Sequence, residues 1–375
     1  MSDQSRDHAI RTAVAQRRSL VEDVITFIHG HPELAHAEHA SAAHLATVLE
    51  DVGLVVERGT AGMATAFRAT LRGGRPGRTV GLVANYDAVP SVPAAGAVVP
   101  IHACGHGPLA AGVVGAVAAL AADRERLAGS VVVMGCPADE IHSPGTVTQG
   151  GGKTISAAAG AWDDIDAALY AHPEFLDTVW EASAWMRRDT ARIHGPRTLV
   201  DGAPQAILTA VGALVAAAGS APAAHVMLET LVLDGDVEEG TGLGAEARFL
   251  LWASDAGGIE ELAAGLRSVV VADWTEGTIV PGITPDPAVR DAVVSAQRAA
   301  GRDYVDPPMA LPFATDFGAI SRRVPSALIG LGRPNGWAFH TPEGAAQFAS
   351  ADGVQAGMDV ATVLALAADR LTQPG

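Results

Sequence analysis

The densest group of residues able to hold a metal or move a proton lies in the stretch PIHACGHGPLAAG, residues 100–112, where Cys104 stands between His102 and His106. Thiolate and imidazole are soft or borderline donors for transition metals, and carboxylates complete such sites. Cys104 and His106 are two residues apart, so a loop can turn both toward one point. A buried cysteine flanked by backbone-bonded histidines fits the same spacing. Further on, Asp139 and Glu140 close the apolar run VVVMGCPADE. Adjacent acids can divide labour, one on a cation and the other on a proton; the same pair can also head a helix as a cap with a favourable first-turn charge. His172 follows an apolar run in LYAHPEF, and His340 lies in FHTPE after a Gly-rich segment. Either histidine, taken singly, also reads as structural.

Such scattered donors need a frame that gathers loop ends. Residues 20–54 carry apolar side chains at helical spacing, interrupted at Pro32, which predicts two helices separated by a turn. The β-rich runs TAFRATLRG, TVGLVANYD, SVVVMGCPAD and DAALYAHPEF follow, with a helical run over 108–123 among them. Strands alternating with helices predict an α/β fold with a mostly parallel sheet covered on both faces, whose chemistry collects at the carboxyl ends of the strands. Over 178–283 the pattern changes to strand, helix, two strands and helix, a smaller α+β unit. The expected organisation is a discontinuous metal-binding domain, 1–177 and 284–375, interrupted by this insert.

Composition narrows the function. The formal net charge of −17, from 25 basic and 42 acidic residues, opposes a phosphate backbone, and no basic cluster interleaved with aromatics offsets it. Nucleic acid is excluded as a partner on this reading. The apolar stretches over 109–122 and 206–218 are Ala-rich and shorter than the ~20 residues of a membrane span, so they predict buried helices. Two cysteines cannot build a disulfide framework, and the polar N-terminal stretch lacks the apolar core of a signal peptide. A reducing, cytoplasmic setting is expected.

In order, HPEL…E, NYDAVP, HACGHG, GCPADE, AHPEF, TDFGAIS and HTPE resemble the amidohydrolase branch of the aminoacylase and glutamate-carboxypeptidase superfamily, which includes hippurate, auxin-conjugate and p-aminobenzoyl-glutamate hydrolases. The resemblance runs from about residue 20 to beyond 343. It implies a metal-binding α/β domain interrupted by a ferredoxin-like lid that also dimerises, hence a homodimer through the insert. It implies one or two divalent transition ions (Zn, Mn, Co or Ni) on Cys104, His106, Glu140, His172 and His340, with Cys104 as a thiolate. It also implies that Asp139 deprotonates the attacking water and passes the proton to the departing amine, and that Asp87 orients a ligand or a second ion.

Four departures from the family bear on substrate. Asp139 replaces a glutamate, losing on the order of 1.5 Å of reach. Asn85 stands where an acid is usual and is a candidate substrate contact, and Gly107 replaces an Asp or Asn. The lid segment that normally carries an oxyanion-binding histidine reads ARIHGPRTLVDGAPQAI and is shortened; His194 or Arg197 are candidates to replace a donor worth ~3 kcal/mol. The leading expectation is hydrolysis of the amide C–N bond of a small N-acyl amino acid-like molecule. A hydrolytic deaminase of an aromatic or heteroaromatic amine and a noncatalytic metal-binding relative are the alternatives.

Overall fold

The computed structural model describes residues 3–91, 98–194, 203–220, 225–234 and 244–374. It divides into two compact units: a larger one, Met1–Ala182, Ile283–Ala310 and Asp316–Gly375, and a smaller one, Ser183–Gly282 with Leu311–Thr315. The larger unit begins with α1 (Asp3–Ala15), α2 (Arg18–Gly30), α3 (His39–Asp51), β1 (Val55–Arg58), β2 (Phe67–Arg72), β3 (Arg75–Ala84), β4 (Val89–Ser91) and β5 (Val99–Ile101). It continues through α4 (His106–Ala121), β6 (Ala128–Gly135), α5 (Pro144–Gln149), α6 (Gly152–Ala158), β7 (Ala167–Glu174) and β8 (Thr178–Trp180). The smaller unit supplies β9 (Ser183–His194), α7 (Ala203–Ser220), β10 (Val226–Asp234), β11 (Gly244–Ala253), α8 (Ala256–Val269) and β12 (Asp273–Glu276). The chain closes with α9 (Pro287–Ala299), β13 (Leu311–Ala314), α10 (Gly318–Ser321), β14 (Ser326–Gly332), α11 (Pro342–Phe348) and α12 (Ala351–Leu371).

The sheet of the larger unit has the order β1-β2-β6-β3-β7-β14-β8. Its four central strands, β6, β3, β7 and β14, are parallel, and antiparallel strands flank them. Both faces of β7 are buried, so it reads as a continuous apolar run rather than an alternating one. Helix α4 is buried from His106 to Leu120. Its glycines explain how: a Cβ on Gly112 would lie 2.5 Å from Val360 Cβ on α12, and one on Gly115 would lie 2.8 Å from Val21 Cγ2 on α2. Small residues let the three helices approach closely, and the buried Val113, Val117 and Leu364 each contribute about 1.5–3 kcal/mol by burial. Among the described residues no helix is long and apolar enough to cross a membrane.

Two helices do separate around Pro32, as the apolar spacing predicts. The helix expected over 108–123 starts two residues earlier, so His106 is its first residue. The capping role open to the acid pair is not taken: α5 is preceded by Ser143, and Asp139 and Glu140 lie upstream in a loop.

The smaller unit has antiparallel strands in the order β10-β11-β9-β12, with α7 and α8 as its crossovers, the β-α-β-β-α-β arrangement of a ferredoxin-like unit. Ile193, Phe249 and Leu251 from the sheet pack with Ile207, Leu214, Ile259 and Leu266 from the helices. Its limits correct the expected 178–283. Thr178–Trp180 pairs with β14 and stays in the larger sheet. Leu311 and Ala314, expected in the larger unit, pair in parallel with Ser183 and Ala184 of β9. Strand hydrogen bonding decides both transfers, and no local pattern announces it.

Candidate metal centre

Six of the eight candidate residues in the larger unit follow or end strands of the large sheet at their carboxyl ends. Asn85 and Asp87 follow β3, Asp139 and Glu140 follow β6, His172 lies near the end of β7, and His340 lies beyond β14. Cys104 and His106 sit at the entry to α4, turned by Gly105 at φ +93°. A Cβ there would press on Pro173 Cγ at 3.0 Å and Phe348 Cε1 at 3.2 Å, so the glycine between the two donors is required twice over. Gly107 is under no such constraint, since an added Cβ meets only Ile28 Cγ2 at 3.8 Å.

The five expected ligands come together around Cys104. Its Sγ lies 3.4 Å from His340 Nε2 and 3.7 Å from His172 Nε2. Donors around one tetrahedral ion at ordinary Zn–S and Zn–N bond lengths would be about 3.6 Å apart. Two overlapping sets, Cys104 with His106 and His172, and Cys104 with Glu140 and His340, each hold their donor atoms within 4.8 Å of one another. His106 Nδ1 donates to the Asp87 carbonyl at 2.8 Å and His172 Nδ1 to the Pro173 carbonyl at 2.8 Å. Those bonds turn both Nε2 lone pairs inward. His106 Nε2 and Glu140 Oε1 are buried without a hydrogen bond, as expected of atoms whose partner is an ion. The residues fit a divalent transition ion.

Electrostatics separate the two cysteines. Burial works against ionisation at Cys104, but the His106 charge and contacts from His106, His172 and His340 outweigh it and hold the thiol well below its usual range. Burial pushes the Cys136 thiol up to about 12. Both are free thiols, and only the first is a candidate ligand. Burial opposes charge on His106 and His172 as well, yet Asp87 and Cys104 raise the first, and Cys104 and Glu174 raise the second to about 10. Burial and the Cys104 charge raise Glu140 well above the carboxylate range. His102 is buried and pushed down to about 3 by burial and then by the His106 and His29 charges, so it stays neutral beside the centre.

Asp139 is the least conventional member. Its Oδ2 lies 3.1 Å from His106 Nε2 and accepts from Tyr170 Oη at 3.1 Å, while Oδ1 is ion-paired with Lys153 Nζ. Burial favours the neutral acid, but the Lys153 charge and His106 overcome it and keep Asp139 ionised. The loop carrying it is strained at Ala138, φ +59°, and held there by Glu38 Oε1, which accepts the Ala138 N–H at 2.9 Å. Asp87 Oδ2 accepts the Glu140 N–H at 2.8 Å, so Asp87 aims the acid pair as well as contacting His106.

Asn85 is wholly buried; its Nδ2 donates to the Cys136 carbonyl at 2.8 Å, tying β3 to the end of β6, and its Oδ1 is buried without a hydrogen bond. His194, at the end of β9, pairs with Asp273 Oδ2 at 3.0 Å within the smaller unit. Arg197 lies outside the described residues. Residue-by-residue reading passed over Lys153, Tyr170, Glu38, Glu174 and Asp316. One of them carried a signal: Lys153 is the only lysine in the chain.

The structure is a mixed α/β fold whose gathered donor residues fit a divalent transition ion. The model of peptidase family M20/M25/M40 matches residues 81–367, and the chain belongs to that family, with the motifs of its amidohydrolase branch. It is 34% identical over 176 residues to one of the subunits of p-aminobenzoyl-glutamate hydrolase from Escherichia coli, covering 44% of this chain and 34% of that one. It is 32% identical over 154 residues to a mouse Xaa-Arg dipeptidase, covering 38% and 32%. The matched segments thus span about a third of these relatives' lengths. Among solved structures, a putative aminohydrolase from methicillin-resistant Staphylococcus aureus superposes with a TM-score of 0.72 at 18% identity, over 98% of this chain and 100% of that one. The YXEP protein of Bacillus subtilis, described as a dinuclear metal-binding peptidase of family M20, gives 0.68 at 19% identity over 97% and 99%. At these identities the likeness is one of fold.

Proposed function

We propose that the chain is a metal-dependent hydrolase that cleaves the amide C–N bond of a small N-acyl amino acid-like substrate. The observation that carries this reading is the convergence of Cys104, His106, Glu140, His172 and His340, with the ionised Asp139 carboxylate against them. One or two ions from among Zn, Mn, Co and Ni would supply Lewis-acid polarisation of the carbonyl and a more acidic water. Asp139 accepts the proton of the attacking water and returns it to the leaving nitrogen. His106, fixed through Nδ1, and Glu140, fixed through its N–H by Asp87, keep their donor atoms in place.

One observation favours a second reading, hydrolytic deamination of an aromatic or heteroaromatic amine. Asp139 is one methylene shorter than the family's glutamate and is drawn toward Lys153 and Tyr170, which suits an electrophile placed differently from an amide carbonyl. Metal analysis with a substrate panel separates the two: free amino acid from N-acyl amino acids supports the first, and ammonia from aryl amines the second. Asp139→Asn should keep the metal and lose roughly 10²–10⁴-fold in turnover; full activity with full metal would remove Asp139 from the mechanism. Asp139→Glu should keep or improve amide cleavage under the first reading and crowd out the substrate under the second.

The smaller unit is proposed as the lid and homodimer interface. Its edge strand β10 exposes Met227, Leu231, Val232 and Leu233, and α7 exposes Leu208 and Val215, an unpaired edge beside an apolar surface. The free thiols and the low-lying Cys104 suit a reducing, cytoplasmic setting.

A further inference from the structure

Lys153 is the single lysine in a chain whose other basic side chains, histidines aside, are all arginines, and it is wholly buried. We propose that it is a positioning residue that fixes the Asp139 carboxylate through one oxygen and is itself fixed by Asp316. The proposal rests on Asp139 being the proton acceptor of the reaction.

The geometry is a closed chain of contacts. The Lys153 ammonium meets Asp139 Oδ1 and lies 2.7 Å from Asp316 Oδ1. Asp316 Oδ2 accepts the backbone N–H groups of Lys153 and Thr154 at 3.0 and 3.2 Å. The acid that holds the ammonium therefore also holds the turn from which the lysine springs. That turn reaches Asp316 only because it lacks side chains: a Cβ on Gly151 would lie 2.2 Å from Asp316 Oδ2, and one on Gly152 would lie 2.0 Å from the Pro137 carbonyl. Pro137 begins the loop that carries Asp139, so one glycine-built turn touches both ends of the device.

A lysine buried between two acids is an arrangement poorly suited to stability. It does supply direction. With Oδ1 tied to Lys153, Oδ2 is left toward Tyr170 Oη and His106 Nε2, both at 3.1 Å. Arginine would bring a planar five-donor fork where a compact point charge on a flexible stem is needed. The tether offsets the missing methylene of Asp139: a short acid held in one orientation replaces a longer acid that can reach.

The test is a double-mutant cycle on the metal-loaded enzyme. Lys153→Met should lower kcat roughly 10²-fold, the cost of about 1 Å of misplacement, with KM and metal content nearly unchanged, and Lys153→Arg should recover only part. In an Asp139→Asn background Lys153→Met should cost nothing further. Additive losses, or full kcat in Lys153→Met, would overturn the proposal. Asp316→Asn leaves one ammonium against one carboxylate and serves where Lys153→Met fails to fold; it should lower kcat in the same direction by less, and an unchanged kcat counts against the anchor. Labelling with 15N-lysine gives a single Nζ resonance, which should shift in Asp139→Asn and in Asp316→Asn. An unmoved resonance would refute the tether. If Asp139→Asn keeps its turnover while the resonance moves, the tether stands and the base assignment fails.

Discussion

Two buried charge clusters in this molecule look alike in composition and differ in what they leave over. In the smaller unit Asp189 is bound by Arg187 through Nε and Nη2, both at 2.8 Å, and also meets Arg267 at 3.3 Å and the Gly277 N–H at 3.3 Å. Arg187 in turn reaches Glu260 at 2.5 Å, and Arg267 reaches Glu276 at 2.7 Å. The Asp189 carboxylate is saturated by fixed cations. At the centre of the larger unit Lys153 meets Asp139 and Asp316, Asp87 meets His106, and His106 Nε2 and Glu140 Oε1 stay buried without a hydrogen bond. In the first cluster the carboxylate is fully met by protein cations; in the second the unpaired atoms are ones a cation would satisfy under the proposed function. Unpaired buried atoms of metal-ligating type, rather than buried charge as such, distinguish the candidate site from the structural network.

The comparison can be broken most directly at the saturated cluster. Arg187→Met removes the two-point partner of Asp189, leaving it only Arg267 and the Gly277 N–H, and should cost about 3 kcal/mol of stability, read by denaturant unfolding, with metal stoichiometry unchanged. Loss of metal in this variant would show that the two clusters are not separable.

A somewhat smaller effect is expected at Glu38, which has no cation partner. Burial and then the Asp87 charge push its carboxyl up to about 7 from 4.5. The folded state holds that proton up to about pH 7 while the unfolded chain releases it near 4.5. The stabilisation is therefore present at low pH and is lost as pH rises between those values, at most about 3 kcal/mol. Glu38→Gln cannot ionise, so its Tm relative to the parent, both metal-free, should rise between pH 5 and pH 8. A gap independent of pH would mean that Glu38 is not held neutral by the fold.

His172→Ala sharpens the comparison from the other side. It should weaken metal binding by roughly 10²-fold or more, measured by competition with a chelator, and lower turnover in step; full metal loading with normal activity would refute its role. Metal binding to the parent at neutral pH should also release protons, because Cys104 is balanced by raised His106 and His172 before an ion arrives. Titration calorimetry in buffers of different ionisation enthalpy would count them. The smallest effect on turnover is expected at the β10 edge: Val232→Lys should shift light scattering from dimer to monomer, and a variant that remains dimeric would place the interface elsewhere.

The residue types at the centre were legible in the sequence because chemistry restricts them. A cysteine between two histidines, an acid pair at a strand end and two histidines after apolar runs are recognisable without coordinates, and so is a parallel sheet that collects them. Tyr170, Glu38 and Asp316 were not, since a buried tyrosine or a lone acid is locally indistinguishable from an ordinary one. The bond from Asn85 Nδ2 to the Cys136 carbonyl, a contact 51 residues away in sequence, was hidden for the same reason. The sequence by itself determined the alternation of strands and helices and the presence of an inserted α+β unit, because those depend on periodicities of a few residues, while the candidate donor set came with the resemblance of its motifs to a family. Only the tertiary structure decided which carboxylate is tethered to the single lysine, that β8 stays with the larger sheet, and that β13 crosses to β9. Each of those depends on hydrogen bonds or ion pairs between segments brought together by folding, and no local pattern encodes such a pairing.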